Sequence, residues 1–209
     1  MRRAMTIRMP TKVLFSILLA ASLSLVVFTP ADASTLATGQ KTVEQKLWTQ
    51  TLPKQLTYIQ DGHGGPVIYD FQDPNCPYCH ALYENEAPLI REGKLTVRYV
   101  PVAILTPESA GEAAAWLSSP HPVQTLQHFE AIVGTAFQTG DFAHLPHVQV
   151  TARIRKELRE NKKMFLELGF DGTPALLFRA KNGQLGTIPG YMTANQLRHL
   201  LPRLHVAPS

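Results

Sequence analysis

Two cysteines occur in the 209-residue chain, three positions apart, as Cys76-Pro77-Tyr78-Cys79. Thiols at this spacing suit disulfide exchange: one thiolate attacks a substrate sulfur, a mixed disulfide forms, and the second thiol releases it. A structural staple is the poorer reading, because a bridge over two residues closes so small a loop that it hardly constrains the unfolded chain. Half a zinc site is poorer still. A closed site wants four ligands, and no second CxxC or HxxxH pair supplies the rest. His63, His121, His128, His144 and His147 are scattered and take no role, and His80 is expected to point elsewhere on its helix. Cys76 is therefore the expected nucleophile and Cys79 its resolving partner, together a redox-active disulfide when oxidised. Pro77 and Tyr78, between them, are expected to meet the substrate. The chemistry needs no metal and no cofactor.

Activating a thiol requires a particular seat. Residues 67–71 (VIYDF) are a short, apolar, β-prone run, and residues 78–92 read as a helix ending near Gly93, so Cys76 falls where a strand gives way to a helix. A helix N-terminus offers unpaired N–H groups and the positive end of the macrodipole, both favouring S⁻ over SH. Pro77 suits the first helical position, where its missing N–H costs nothing. Residues 95–102 (LTVRYVPV) form the next strand and complete a β-α-β unit whose crossover should be right-handed.

Around this unit the chain divides simply. Residues 41–52 are expected to be helical and to stop at Pro53, residues 56–60 alternate like a strand, and residues 61–65 are a turn. From about residue 107 to 169 the pattern is helical, with segments at 108–117, 126–137 and 150–168; Trp116 and Phe129 read as helix core. Residues 175–179 and 185–188 flank Asn182-Gly183 as a hairpin, and residues 193–204 form a last helix with Thr193 as N-cap. The order β-β-α-β, helical block, β-β-α predicts an α/β fold, a mixed central sheet with flanking helices and a helical insertion.

About 95 residues after the cysteines, Gly172-Thr173-Pro174 precedes the strand at 175–179. A cis Thr173-Pro174 bond would hold backbone beside the cysteines and present unpaired groups to a substrate strand.

The first residues read as an address. Arg2, Arg3, Arg8 and Lys12 precede an apolar run over 13–28, and Ala31-Asp32-Ala33 offers a cleavage site. That run is shorter than the ~20 residues of a spanning helix. Cleavage after Ala33 leaves 176 residues with all but four of the 20 basic and all but one of the 16 acidic residues, a formal charge of +1. The basic balance thus belongs to the leader. Without a Lys/Arg cluster interleaved with aromatics, nucleic acid is a poor partner. The organisation expected is a signal peptide at 1–33, a helix and linker at 34–65, and one catalytic domain at 66–205.

In combination, FQDPNCPYCH, REGKLTVRYVPVAILTPES, GEAAAWLSS and GTPALLFRAKNGQLGTIPGY resemble the catalytic domain of the periplasmic DsbC/DsbG thiol:disulfide interchange family, closer to its DsbG branch. The resemblance spans about residues 66–201. It implies a thioredoxin fold, Cys76 and Cys79 as the redox pair, Thr173 with cis-Pro174 beside them, exported proteins with cysteines as substrates, and a DsbD-like thiol donor at the membrane. Members of that family carry an N-terminal dimerisation domain, whereas about 30 residues precede the fold here, so a V-shaped dimer is not carried over and the oligomeric state stays open.

Asp70, six residues before Cys76, departs from the apolar residue the resemblance would place there. Thioredoxin has a buried aspartate at about that spacing. The expectation is that Asp70 lies under the site with a raised pKa and takes the Cys79 proton during resolution; a solvated strand carboxylate is the alternative. The leading function is a periplasmic reductase or isomerase of protein disulfides. An oxidase that donates its disulfide is the nearest rival, and a non-catalytic chaperone using the same groove is the alternative of a different class. Glutaredoxins share the CPYC tetrad but are smaller and lack such a helical block.

Overall fold

The computed structural model describes residue 39 and residues 43–206. The leader expected at 1–33 lies outside the described residues. Five strands form one mixed sheet: β1 (Ile59–Asp61), β2 (Val67–Gln72), β3 (Thr96–Pro101), β4 (Ala175–Arg179) and β5 (Leu185–Pro189), in the order β1-β3-β2-β4-β5. β2 and β3 are parallel, and the remaining neighbours are antiparallel. The parallel pair is the one joined by a helix, because only a crossover can return the chain in the same direction.

The helices are α1 (Leu52–Gln55), α2 (Pro77–Arg91), α3 (Ser109–Ser118), α4 (Pro122–Thr139), α5 (Ala152–Glu167) and α6 (Ala194–Leu200). α2, α4 and α6 cover one face of the sheet with Leu82, Leu89, Phe129, Val133 and Leu197 against Ile68, Val97, Tyr99 and Leu176. The opposite face carries Tyr69, Phe71, Val100 and Leu177 under Leu52, Met164, Phe165 and Phe170. Trp116 and Phe129 are fully buried, in edge-to-face contact at 4.9 Å, as helix core.

Local chemistry moves some boundaries. The sequence stops the N-terminal helix at Pro53; the structure runs a π-helical turn, Leu47–Thr51, directly into α1, with Pro53 in the first turn of α1. The strand read from residue 56 starts at Ile59, because the Leu56 N–H still donates to Leu52 as the close of α1. The last helix divides at Pro202, which lacks an N–H, into α6 and a 3₁₀ turn, Leu201–Arg203. Thr193 caps α6 in a reciprocal box with Gln196.

Two contacts fix the frame. Gly65 adopts φ +69° and passes so close to Lys94 that a Cβ would fall 2.1 Å from its carbonyl oxygen, so the entry into β2 requires glycine. Asn161 of α5, fully buried, accepts from the Thr57 N–H (2.9 Å) and donates to the carbonyls of Thr57 (2.8 Å) and Pro101 (3.0 Å). It thereby ties α5 to one end of the β1–β3 pair, where the chain entering β1 runs beside the end of β3.

Candidate active site

Cys76 is the N-cap of α2 (φ −98°, ψ 110°), with Pro77 in the first turn. Its sulfur accepts from the Cys79 N–H at 3.3 Å, satisfying one of the free donors of the helix start. Protonated, the same sulfur donates to the Thr173 carbonyl at 3.3 Å. Thr173-Pro174 is cis, and its loop brings the head of β4 to the head of α2. Both cysteines are free thiols and both are buried, Cys79 the more deeply. Tyr78 stands out at the surface, its ring 6.3 Å from that of Tyr191.

The two thiols are driven apart in acidity. Cys76 is lowered to about 6, chiefly by the hydrogen bond from the Cys79 thiol; burial opposes this, and the side chain of Thr173 and the N–H groups of Cys79 and Tyr78 add to it. Burial first, then the same bond and the charge of Asp70, push Cys79 well above its ordinary value. A thiolate nucleophile beside a protonated resolving thiol is the arrangement exchange requires.

Asp70 is fully buried, and neither carboxylate oxygen has a hydrogen-bond partner. Strand alternation puts Tyr69 and Phe71 on the α5 face and turns Asp70 toward α2, which settles the facing that sequence alternation left open. Its acidity is pushed well down, that is, its pKa well up, by burial and then by Cys76 and Glu130.

The loop before Cys76 is locked by Asp73. Its carboxylate accepts from the N–H groups of Asn75 (2.9 Å), Ile104 (2.6 Å) and Leu105 (3.0 Å) and from the Ser109 hydroxyl (2.7 Å). Asn75 in turn donates to Ser109 at 3.1 Å and to the Glu112 carboxylate. Beside this wall runs a cavity of about 840 Å³, lined by Asn75, Pro77, Ala110, Phe137, Phe142 and Val148 among others.

Three polar residues around the cysteines were not singled out from sequence: Asp73, Glu86 and Glu130. Glu86 is fully buried with only the Tyr99 hydroxyl beside it, and burial with the nearby Asp70 pushes its pKa well up. The clue was its spacing: Cys79, Leu82, Glu86 and Leu89 form the inward stripe of α2, so a carboxyl interrupts an apolar face. Glu130 likewise sits within the Leu126, Phe129 and Val133 stripe of α4. His80 points elsewhere on its helix than Cys79, as expected, and faces α4, where its Nδ1 meets Glu130 Oε2 at 2.8 Å. Gly134 makes room for this, since a Cβ there would lie 2.6 Å from His80 Nε2.

Comparison with known proteins agrees with this architecture. The profile of the family described as thioredoxin-like domain matches residues 52–205. The chain is 30% identical over 160 residues to the thiol:disulfide interchange protein DsbG of Pseudomonas aeruginosa, covering 75% of this chain and 59% of that protein. To DsbG of Escherichia coli it is 33% identical over 143 residues, covering 68% and 54%. It thus spans a little more than half the length of these relatives. The catalytic domain of Proteus mirabilis ScsC superposes with a TM-score of 0.58 at 20% identity, over 76% of this chain and 96% of that one. A disulfide interchange protein from Neisseria gonorrhoeae does so at 0.51 and 23%, over 69% and 93%. These two likenesses speak to the fold. With the profile matched over most of its length and the same sheet and helices built around Cys76, the chain belongs to the thioredoxin-like domain family.

Proposed function

We propose that the protein is a periplasmic thiol-disulfide oxidoreductase that acts on disulfides or oxidised cysteines of exported proteins. The observation that carries this is the paired state of the thiols, with Cys76 lowered to about 6 at the head of α2 and Cys79 held protonated one turn in. The likeness to DsbG supports the substrate class and the compartment, as does the leader read from residues 1–33.

In the reductase direction, the Cys76 thiolate attacks a substrate sulfur and the substrate's other sulfur leaves as a thiolate. The incoming chain lies against the Thr173-Pro174 loop and along Pro77 and Tyr78, and the apolar cavity beside Asn75 and Pro77 accommodates its flanking side chains. Asp70 takes the Cys79 proton, Cys79 attacks Cys76, and the substrate is released; if the substrate's own thiol acts first, the outcome is isomerisation. A DsbD-like membrane donor then reduces the cysteine pair.

The opposite direction is favoured by one specific observation. A stabilised Cys76 thiolate stabilises the reduced protein and makes its disulfide a better oxidant. The in vivo redox state decides between the two: cells are acid-quenched, thiols alkylated, and the mass shift of Cys76 and Cys79 read. A mostly reduced pair supports the reductase or isomerase; a mostly oxidised pair makes the protein a disulfide donor. Client protection that survives replacement of both cysteines would overturn the enzymatic reading in favour of a chaperone.

A further inference from the structure

Asp70 faces ionisable groups from three elements: Cys76, Cys79 and Glu86 of α2, Tyr99 of β3, which is its register partner, and Glu130 of α4; from β4 the residue opposite is Leu176. Three of these groups, Asp70, Glu86 and Glu130, are buried carboxyls. The oxygens of Asp70 have no hydrogen-bond partner and Glu86 has only the Tyr99 hydroxyl beside it, whereas Glu130 has His80 Nδ1 at 2.8 Å, on a ring whose pKa the bond to this carboxylate raises. A buried carboxyl ionises most readily where a counter-charge replaces the lost water, so the negative charge of this cluster resides first on Glu130.

The pair has a direction. The Glu130 side chain retains 3% of its exposure and that of His80 16%, so the carboxylate is the inner end and the imidazolium the outer. Outside, Glu84 stands 3.8 Å from His80 Nε2, and Tyr83 of the same helix also feels the Glu130 charge. Inside lies Asp70. His80 follows Cys79 directly in the chain, and its ring lies so close to Gly134 of α4 that a Cβ there would stand 2.6 Å from Nε2.

We propose that the His80–Glu130 pair is a positioning element for the resolving step, its inward carboxylate acting on Asp70 and setting the pH at which Asp70 takes the proton of Cys79. The inference rests on the assignment of Asp70 as that acceptor. In the step concerned, the Cys79 S–H proton passes to an Asp70 carboxylate oxygen and the Cys79 sulfur bonds to the Cys76 sulfur. The bond from Cys76 to the substrate sulfur breaks, and its electron pair leaves with the substrate thiolate; the cysteine pair is oxidised and the substrate disulfide reduced. A negative charge on Glu130, whose own pKa burial raises and His80 draws back down, disfavours the ionised Asp70 that must exist beforehand, and so moves resolution to higher pH.

The test uses the reduced protein and a chromogenic aryl disulfide, which releases one aryl thiolate on attack by Cys76 and a second on resolution by Cys79. The second rate is followed from about pH 5 to about pH 9. Glu130→Gln is expected to lower the midpoint of that profile by about half a pH unit or more, and to shift nothing in an Asp70→Asn background. A merely structural role would lower the melting temperature without moving the midpoint. The double variant His80→Gln with Glu130→Gln, which sets two amides in place of the ions, carries the same expectation should the single one fold poorly. A midpoint that stays or rises in a folded variant, with Asp70→Asn still altering the profile, overturns this inference alone. A wild-type profile in Asp70→Asn overturns the Asp70 assignment and this inference with it.

Discussion

The carbonyl oxygen of Thr173 stands 3.3 Å from the sulfur of Cys76, although 97 residues separate them in the chain. That carbonyl can accept only while Cys76 is protonated. Once the thiol ionises, the sulfur is held by donors alone, the Cys79 thiol, the Thr173 side chain and the N–H groups at the start of α2.

Thiolate absorbance of the reduced protein should therefore titrate with a midpoint of about 6 for Cys76. Alkylation of that residue should slow as the pH falls through the same value. Because the folded value lies below the unfolded one, the stability it contributes is present above the unfolded thiol pKa and is lost as the pH drops through about 6. Cys79→Ala removes the largest cause and should raise the midpoint by about one unit.

Asp70→Asn should separate the two chemical steps. Attack by Cys76 needs no proton acceptor at Asp70, while resolution does, so the second release of aryl thiolate should slow by about a hundredfold and the first should not slow. Equal rates of resolution in the variant and the wild type from about pH 6 to about pH 9 would remove Asp70 from the mechanism.

Glu86 offers a stability test. Its folded pKa is raised, so between the unfolded value and the folded one the native chain binds the extra proton, and stability declines as pH rises through that window. The slope is about 1.4 kcal/mol per pH unit for one group. Glu86→Leu should remove that decline, with a gain in melting temperature larger at pH 8 than at pH 5, as read by thermal denaturation at each pH.

Asn161→Leu tests the frame apart from the chemistry. It orphans the N–H and C=O of Thr57 and the C=O of Pro101. The expected loss is about 3 kcal/mol in denaturant unfolding, with the Cys76 titration midpoint unchanged, since Asn161 lies on the α5 side of the sheet.

The sequence alone carried the β-α-β unit, because VIYDF, the cysteine tetrad at a helix start and LTVRYVPV are each dictated by local preference and hydrophobic period. The hairpin about Asn182-Gly183 and the Thr193 cap were legible for the same reason: a turn or a cap is a matter of a few adjacent residues. Pro53 misled, since a proline ends a helix from within but starts one at its first turn, and neighbouring residues do not say which.

What lay beyond reach was how the faces of the elements pack against one another. The facing of Asp70 depends on strand register and the His80–Glu130 pair on how closely α4 packs on α2, whereas the return of Thr173-Pro174 to the cysteines was expected and is found. Glu86 and Glu130 were visible as carboxyls on apolar stripes, yet only the packed structure shows which buried carboxyl obtains a cation and which two do not. Residue types and spacing determine which groups can do chemistry. Their protonation is decided by burial and by charges that only tertiary packing brings near, because desolvation and Coulomb energies depend on distance in space and not on separation along the chain.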